Sequence, residues 1–149
     1  MIFLTIAILI GITGMVLVVM SIDPMKSEHT KATTLATGIA LDINSLVSED
    51  AGRIETEIDP STDYFIRVIY HKAGNKEGYT VDADGYYIVV SIEKAGRTVY
   101  GFRRIDGYPS GLGQESSRLE TDIWKPKRIC VVKDAGSDYP VLKEWMLGC

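Results

Sequence analysis

Hydrophobic and polar positions divide the chain into three stretches with different periods. Residues 1–22, MIFLTIAILIGITGMVLVVMSI, carry no charged side chain and are apolar around the whole helical circumference. At about 1.5 Å of rise per residue such a helix is roughly 33 Å long, which matches a hydrocarbon core of about 30 Å. A helix apolar on all sides does not suit the core of a small soluble domain. No Lys or Arg precedes Lys26, and Val18-Val19-Met20-Ser21 is a poor small-residue cleavage site. The apolar run is also longer than the about 7–15 residues of a secretory h-region. The expectation is an uncleaved transmembrane or filament-core helix.

Residues 23–50 change period. Ala32, Leu35, Ala36, Ile39, Ile43, Leu46 and Val47 recur at steps of three and four, while Lys31, Thr33, Thr34, Thr37, Asp42, Asn44 and Ser45 fall largely elsewhere. This is the pattern of an amphipathic helix whose stripe has to be covered. Asp23-Pro24 either caps and starts it or kinks a continuous helix. Leu35, Ala36, Ile39, Ile43 and Leu46 are expected to pack on the domain that follows. A share of the stripe packing on a neighbouring copy is the alternative.

From residue 51 to 149 the period becomes two. RIETEID (53–59) alternates and stops at Pro60, and YFIRVIY (64–70) is rich in β-branched and aromatic residues. GYTV (78–81), an Asp84-Gly85 turn, YYIVVSI (86–92), an Ala95-Gly96 turn and RTVYGF (97–102) extend the series. Short strands joined by such turns predict an antiparallel meander. Residues 106–127 read as a long loop with three glycines and two prolines, holding a short helix near 116–123. RICVVK (128–133), a turn at 134–137 and VLKEWM (141–146) form a last strand pair. The fold class expected is therefore α+β: a long N-terminal helix, hydrophobic and then amphipathic, followed by a small antiparallel β domain.

Charge narrows the function classes. Sixteen Lys and Arg stand against twenty Asp and Glu, a formal net charge of −4, and all of these residues lie after residue 22. A mildly acidic polar part excludes a basic nucleic-acid surface and a polybasic lipid patch. Orientation is less decided. The positive-inside rule pulls Lys26 and Lys31 inward, yet Asp23 and Glu28 sit among them.

The two cysteines are Cys130, inside an expected strand, and Cys149. In an oxidising space a Cys130–Cys149 bond would close a loop of about 20 residues, a constraint of roughly 3 kcal/mol in the chain-entropy model. A buried thiol at Cys130 beside an incidental Cys149 is the other possibility.

Candidate chemistry is sparse. The two histidines, His29 and His71, belong to no metal-ligand spacing. Gly111-Leu-Gly113 lacks the third glycine and the βαβ setting of a dinucleotide loop. Gly107-Tyr-Pro-Ser110-Gly111 is no nucleophile elbow, and Asp82-Ala-Asp84-Gly85 starts like a calcium loop without its twelfth-position Glu. No catalytic, cofactor or metal site is expected, so the chain reads as a non-enzyme. Trp124, Trp145 and the eight tyrosines read as strand packing or as a contact surface.

The order of parts then carries a resemblance. ATGIALDIN (36–44), GRIETEI (52–58) and DYFIRVI (63–69) look like the junction between helix and first strands in archaeal pilin-like sequences, and KRICVVK (127–133) is similar to a late strand in some of them. The chain resembles type IV pilins and pilin-like proteins. That resemblance implies a structural subunit of a surface filament, assembled through residues 1–22 with the β domain outside the cell. The assembly contacts would come from Ile2, Phe3, Leu4, Ile6, Ile8, Leu9, Ile10, Gly11, Gly14, Met15, Leu17 and Val18. The partners implied are membrane lipid, copies of the chain itself, and other pilus or secretion components, with no nucleic acid. The alternative is a single-pass anchored binding or accessory protein that does not polymerise.

Overall fold

A computed structural model of the chain describes residues 24–109, 119–145 and 149. The amphipathic stretch folds as one helix, α1 (Pro24–Val47). Proline at the first position suits a turn whose amides have no partner within the helix. Its last turn holds no basic residue. Lys133, buried on a distant strand, instead donates its ammonium to the Val47 carbonyl at 2.7 Å. A carbonyl left without a partner at the helix end is thereby satisfied by a cation, which also suits the helix dipole.

Among the described residues nine strands follow: β1 (Gly52–Glu57), β2 (Tyr64–His71), β3 (Gly74–Lys76), β4 (Tyr79–Val81), β5 (Gly85–Lys94), β6 (Arg97–Arg104), β7 (Thr121–Trp124), β8 (Arg128–Lys133) and β9 (Val141–Glu144). They form a four-stranded sheet in the order β6-β5-β2-β7, a three-stranded sheet β1-β8-β9, and the hairpin β3-β4. Every pairing is antiparallel. The α+β class expected from the sequence holds.

Two details differ from expectation. The strands do not run as a simple meander, because β1 pairs with β8 instead of its sequence neighbour β2. Within the expected helix at 116–123, residues 121–123 are strand: β7 pairs with β2, placing Ile123 opposite Ile66 and Asp122 opposite Arg67. Those cross-strand pairs, one buried and apolar and one an ion pair at 2.9 Å, favour strand over helix here.

Alternation decides which face of the large sheet meets the helix. Tyr64, Ile66 and Val68 of β2 are buried toward α1, with Ile88, Val90 and Ile92 beside them on β5. Helix α1 supplies Ala32, Ala36, Ile39, Ile43 and Leu46 to the same core, which reaches Ile129, Val131 and Leu142 of the smaller sheet. Helix and strand can approach closely because small residues meet at their crossing. A Cβ on Gly101 of β6 would lie 2.2 Å from the Ala32 carbonyl carbon and the Thr33 nitrogen. The opposite face is half covered by the β3-β4 hairpin, where Val81, Tyr87 and Val89 form a second apolar cluster with Tyr79, Tyr100 and Phe102 around it.

Candidate functional site

The helix-to-domain joint is built from the stripe the sequence exposed. Ala36, Ile39, Ile43 and Leu46 are buried together, and Leu35 is half-buried at the edge of the core. Ala40 joins them, although the heptad-like spacing did not select it. Beside Leu35 runs an apolar groove of about 440 Å³ between α1 and the chain from Thr56 to Tyr64, with Gly38, Ile39 and Ile58 among its lining. Asp42 borders it, accepting a hydrogen bond from the Thr56 hydroxyl at 3.3 Å. Burial pushes the Asp42 carboxyl above the ordinary carboxylate range.

An ion cluster fixes the start of the joint. Glu28 is 4% exposed, and its carboxylate accepts a 2.8 Å bond from Lys94 and lies 3.6 Å from Lys31. The Lys94 hydrogen bond, with Lys31 nearby, holds the Glu28 carboxyl below its ordinary value against the opposing effect of burial. Lys31 also reaches the Thr62 hydroxyl at 3.4 Å. At the other end, Gly107 donates its amide to the Asn44 side chain at 2.9 Å. The loop after β6 is thus tied to the last turns of α1.

Cys130 and Cys149 are disulfide-bonded, with Cα atoms 6.2 Å apart. Arg53 on the edge strand β1 donates to the Cys149 carbonyl at 3.1 Å, so the C-terminal residue is held by a covalent and a polar contact. The sequence had left the bond open, since spacing alone does not place two Cα atoms within bridging distance.

The residues expected to make assembly contacts, Ile2 to Val18, lie outside the described residues. Among the described residues no helix is long and apolar enough to cross a membrane, and no group of three or more His, Cys, Asp or Glu could hold a metal ion. His71 sits at the hairpin edge with Nε2 2.6 Å from the Tyr79 hydroxyl. Burial, with Lys76 and Arg67 nearby, pushes its pKa below the ordinary 6.5. The two rings also pack edge to face, with centroids 5.6 Å apart at 65°.

One of the aromatics that read from the sequence as strand packing or a contact surface stands on the uncovered half of the outer sheet face. Trp124 is 67% exposed and stacks on Phe65, ring centroids 4.1 Å apart at 18°. Arg67 lies over the Phe65 ring at 5.4 Å and is held by Asp122. In strand order, β7 Trp124 faces β2 Phe65, which faces β5 Ser91. Trp124 is out of phase with the buried Ile123 along β7, which puts it on the opposite face of the strand.

Compared with protein-family models, curated proteins and solved structures, the chain matches none of them.

Proposed function

We propose that the chain is a structural subunit of a type IV pilus-like surface filament, assembled through residues 1–22 and displaying the β domain outside the cell. The observation that carries this reading is the joint. The uncharged segment 1–22 is followed within two residues by a 24-residue helix whose buried face is spent on the β domain from Glu28 to Leu46. A module merely tethered to a membrane needs only a Gly-, Ser- or Pro-rich linker. A filament needs its outer domain fixed to the stem, and a helix of about 36 Å gripped by a sheet provides that. The disulfide supports an oxidising compartment outside the cytosol. The apolar groove beside Leu35 offers a surface for a neighbouring stem.

The test is fractionation of cells that make the protein natively. Material sheared from the surface is sedimented and analysed by intact mass spectrometry. The reading expects this chain as a major component of a high-molecular-weight sheared fraction. Recovery only from detergent-extracted membranes, as protomers, overturns it in favour of the anchored accessory.

A further inference from the structure

We infer that the open groove on the outer face of the large sheet is a binding site for a neutral saccharide. The groove holds about 390 Å³, within the range of small-ligand sites. Its floor follows from register. Phe65 pairs with Ser91, and Glu93 pairs with Thr98, so these four side chains share the face turned away from α1. Trp124 and Lys125 form one wall and the Ala95-Gly96 turn the other.

The chemistry of that lining is selective. Trp124 is stacked through one face on Phe65 while two thirds of the residue stays in solvent, a large apolar surface that nothing among the described residues covers. Aromatic rings are electron-rich on their faces, so they attract the weakly positive C–H bonds on one side of a pyranose ring. Around that platform stand hydroxyl groups at Ser91 and Thr98, carboxylates at Asp63 and Glu93, and the Lys125 ammonium. Donors and acceptors at the rim suit the equatorial hydroxyls of a sugar. Two carboxylates against one ammonium leave the rim at −1, which disfavours phosphorylated or acidic saccharides.

The walls are held in costly backbone conformations. Ala95 (φ 53°) and Lys125 (φ 46°) are the two non-glycine residues with positive φ among those described, and both line this groove. Ala95 makes the two-residue turn with Gly96 (φ 71°) that joins β5 to β6. Lys125 donates its amide to the Tyr64 carbonyl at 2.8 Å and pairs with Asp63 at 2.6 Å. That conformation turns the chain away after β7 and leaves Trp124 standing at the rim. Such strained positions concentrate at binding sites. The site stands on the β domain alone and is independent of polymerisation.

The experiment uses the full chain in a polyoxyethylene detergent, since sugar-headed detergents would compete. In a Trp145→Phe background, Trp124 is the remaining tryptophan, and its emission is titrated with maltotriose, cellotriose, mannotriose and N-acetylchitotriose. Sialyllactose and trigalacturonate serve as acidic probes. One neutral saccharide is expected to shift the emission saturably, at about millimolar affinity for a single shallow site. By saturation-transfer NMR, Trp124→Ala weakens that binding about tenfold, the loss of one stacking contact, while far-ultraviolet circular dichroism shows the fold retained. Glu93→Gln weakens it as well. Any of three results overturns the inference: no saturable response to the neutral panel, undiminished binding by Trp124→Ala, or equal or tighter binding of the acidic probes.

Discussion

Gly101→Ala tests whether α1 rests on the sheet as closely as the fold requires. The added methyl would point at the Ala32 carbonyl carbon and the Thr33 nitrogen, each 2.2 Å away, and at the Ala32 oxygen, 2.5 Å away. These are main-chain atoms and cannot rotate aside. Ordinary contact begins near 3.4 Å, so the helix and β6 have to separate by about 1.2 Å. A gap of about 1 Å forfeits a quarter to a half of the dispersion energy of the contacts it opens, and Ala32, Ala36 and Ile39 all sit in that interface. Overpacking of a core site costs about 1–3 kcal/mol, and the absence of any side-chain freedom at this one places it at the upper end, about 3 kcal/mol. Gly38→Ala is the control. It makes the same change in α1 itself, where nothing lies within 4 Å of the new methyl, and removing a mid-helix glycine should stabilise by about 1 kcal/mol. The assay is urea unfolding of the full chain in mild detergent, followed by near-ultraviolet circular dichroism, with midpoints compared at unchanged slope. If the two variants differ by less than about 1 kcal/mol, α1 does not cross β6 at Gly101 and the helix-to-domain joint is wrong.

Other consequences are open to measurement. Cys149→Ser should lower stability by about 3 kcal/mol under oxidising conditions and by little in reductant, since the bond closes a loop between residues 19 apart in sequence. Intact mass of the parent before and after reduction should register the two hydrogen atoms gained as the bond becomes two thiols. Glu28 has a folded pKa below its ordinary 4.5, so its stabilising effect is present above that value and is lost as pH falls through the lower folded value. Unfolding curves of the parent and Glu28→Gln should therefore converge on acidification through that window. His71 is held neutral by burial, so its contribution is present above pH 6.5 and is lost as pH falls from there toward its lower folded pKa. An NMR titration placing the His71 midpoint at or above 6.5 would contradict the part-buried pairing with Tyr79.

The parts of the fold that were legible in the sequence are those written in local period. Steps of three and four from Ala32 to Leu46 gave α1 and its buried stripe, and period two gave β2, β5 and β6 with the Ala95-Gly96 turn between the last two. What local period does not encode is the identity of a distant partner. Glu28 looks like one more surface acid until Lys94, 66 positions on, closes over it. Lys133 reads as a strand-end charge and proves to cap α1, 86 positions away. Gly101 looks like a weak point within a strand, and its reason is the helix main chain above it. The segment around Thr121–Trp124 was too short to show its period, and its strand state is settled by Ile66 and Arg67 across the ladder. Whether Trp124 packs or makes a contact surface was open in the sequence for a related reason: an aromatic in a strand is exposed or buried according to which face its neighbours cover.

The central claim is that the β domain is carried outward on a rigid stem in a polymer. Electron cryomicroscopy of filaments sheared from native cells tests it most directly. The account predicts helical density in which residues 1–22 of many copies form an axial bundle and each α1 continues from it into a β domain on the surface. Filaments lacking this chain, or finding it solely as protomers in detergent-extracted membranes, would contradict it.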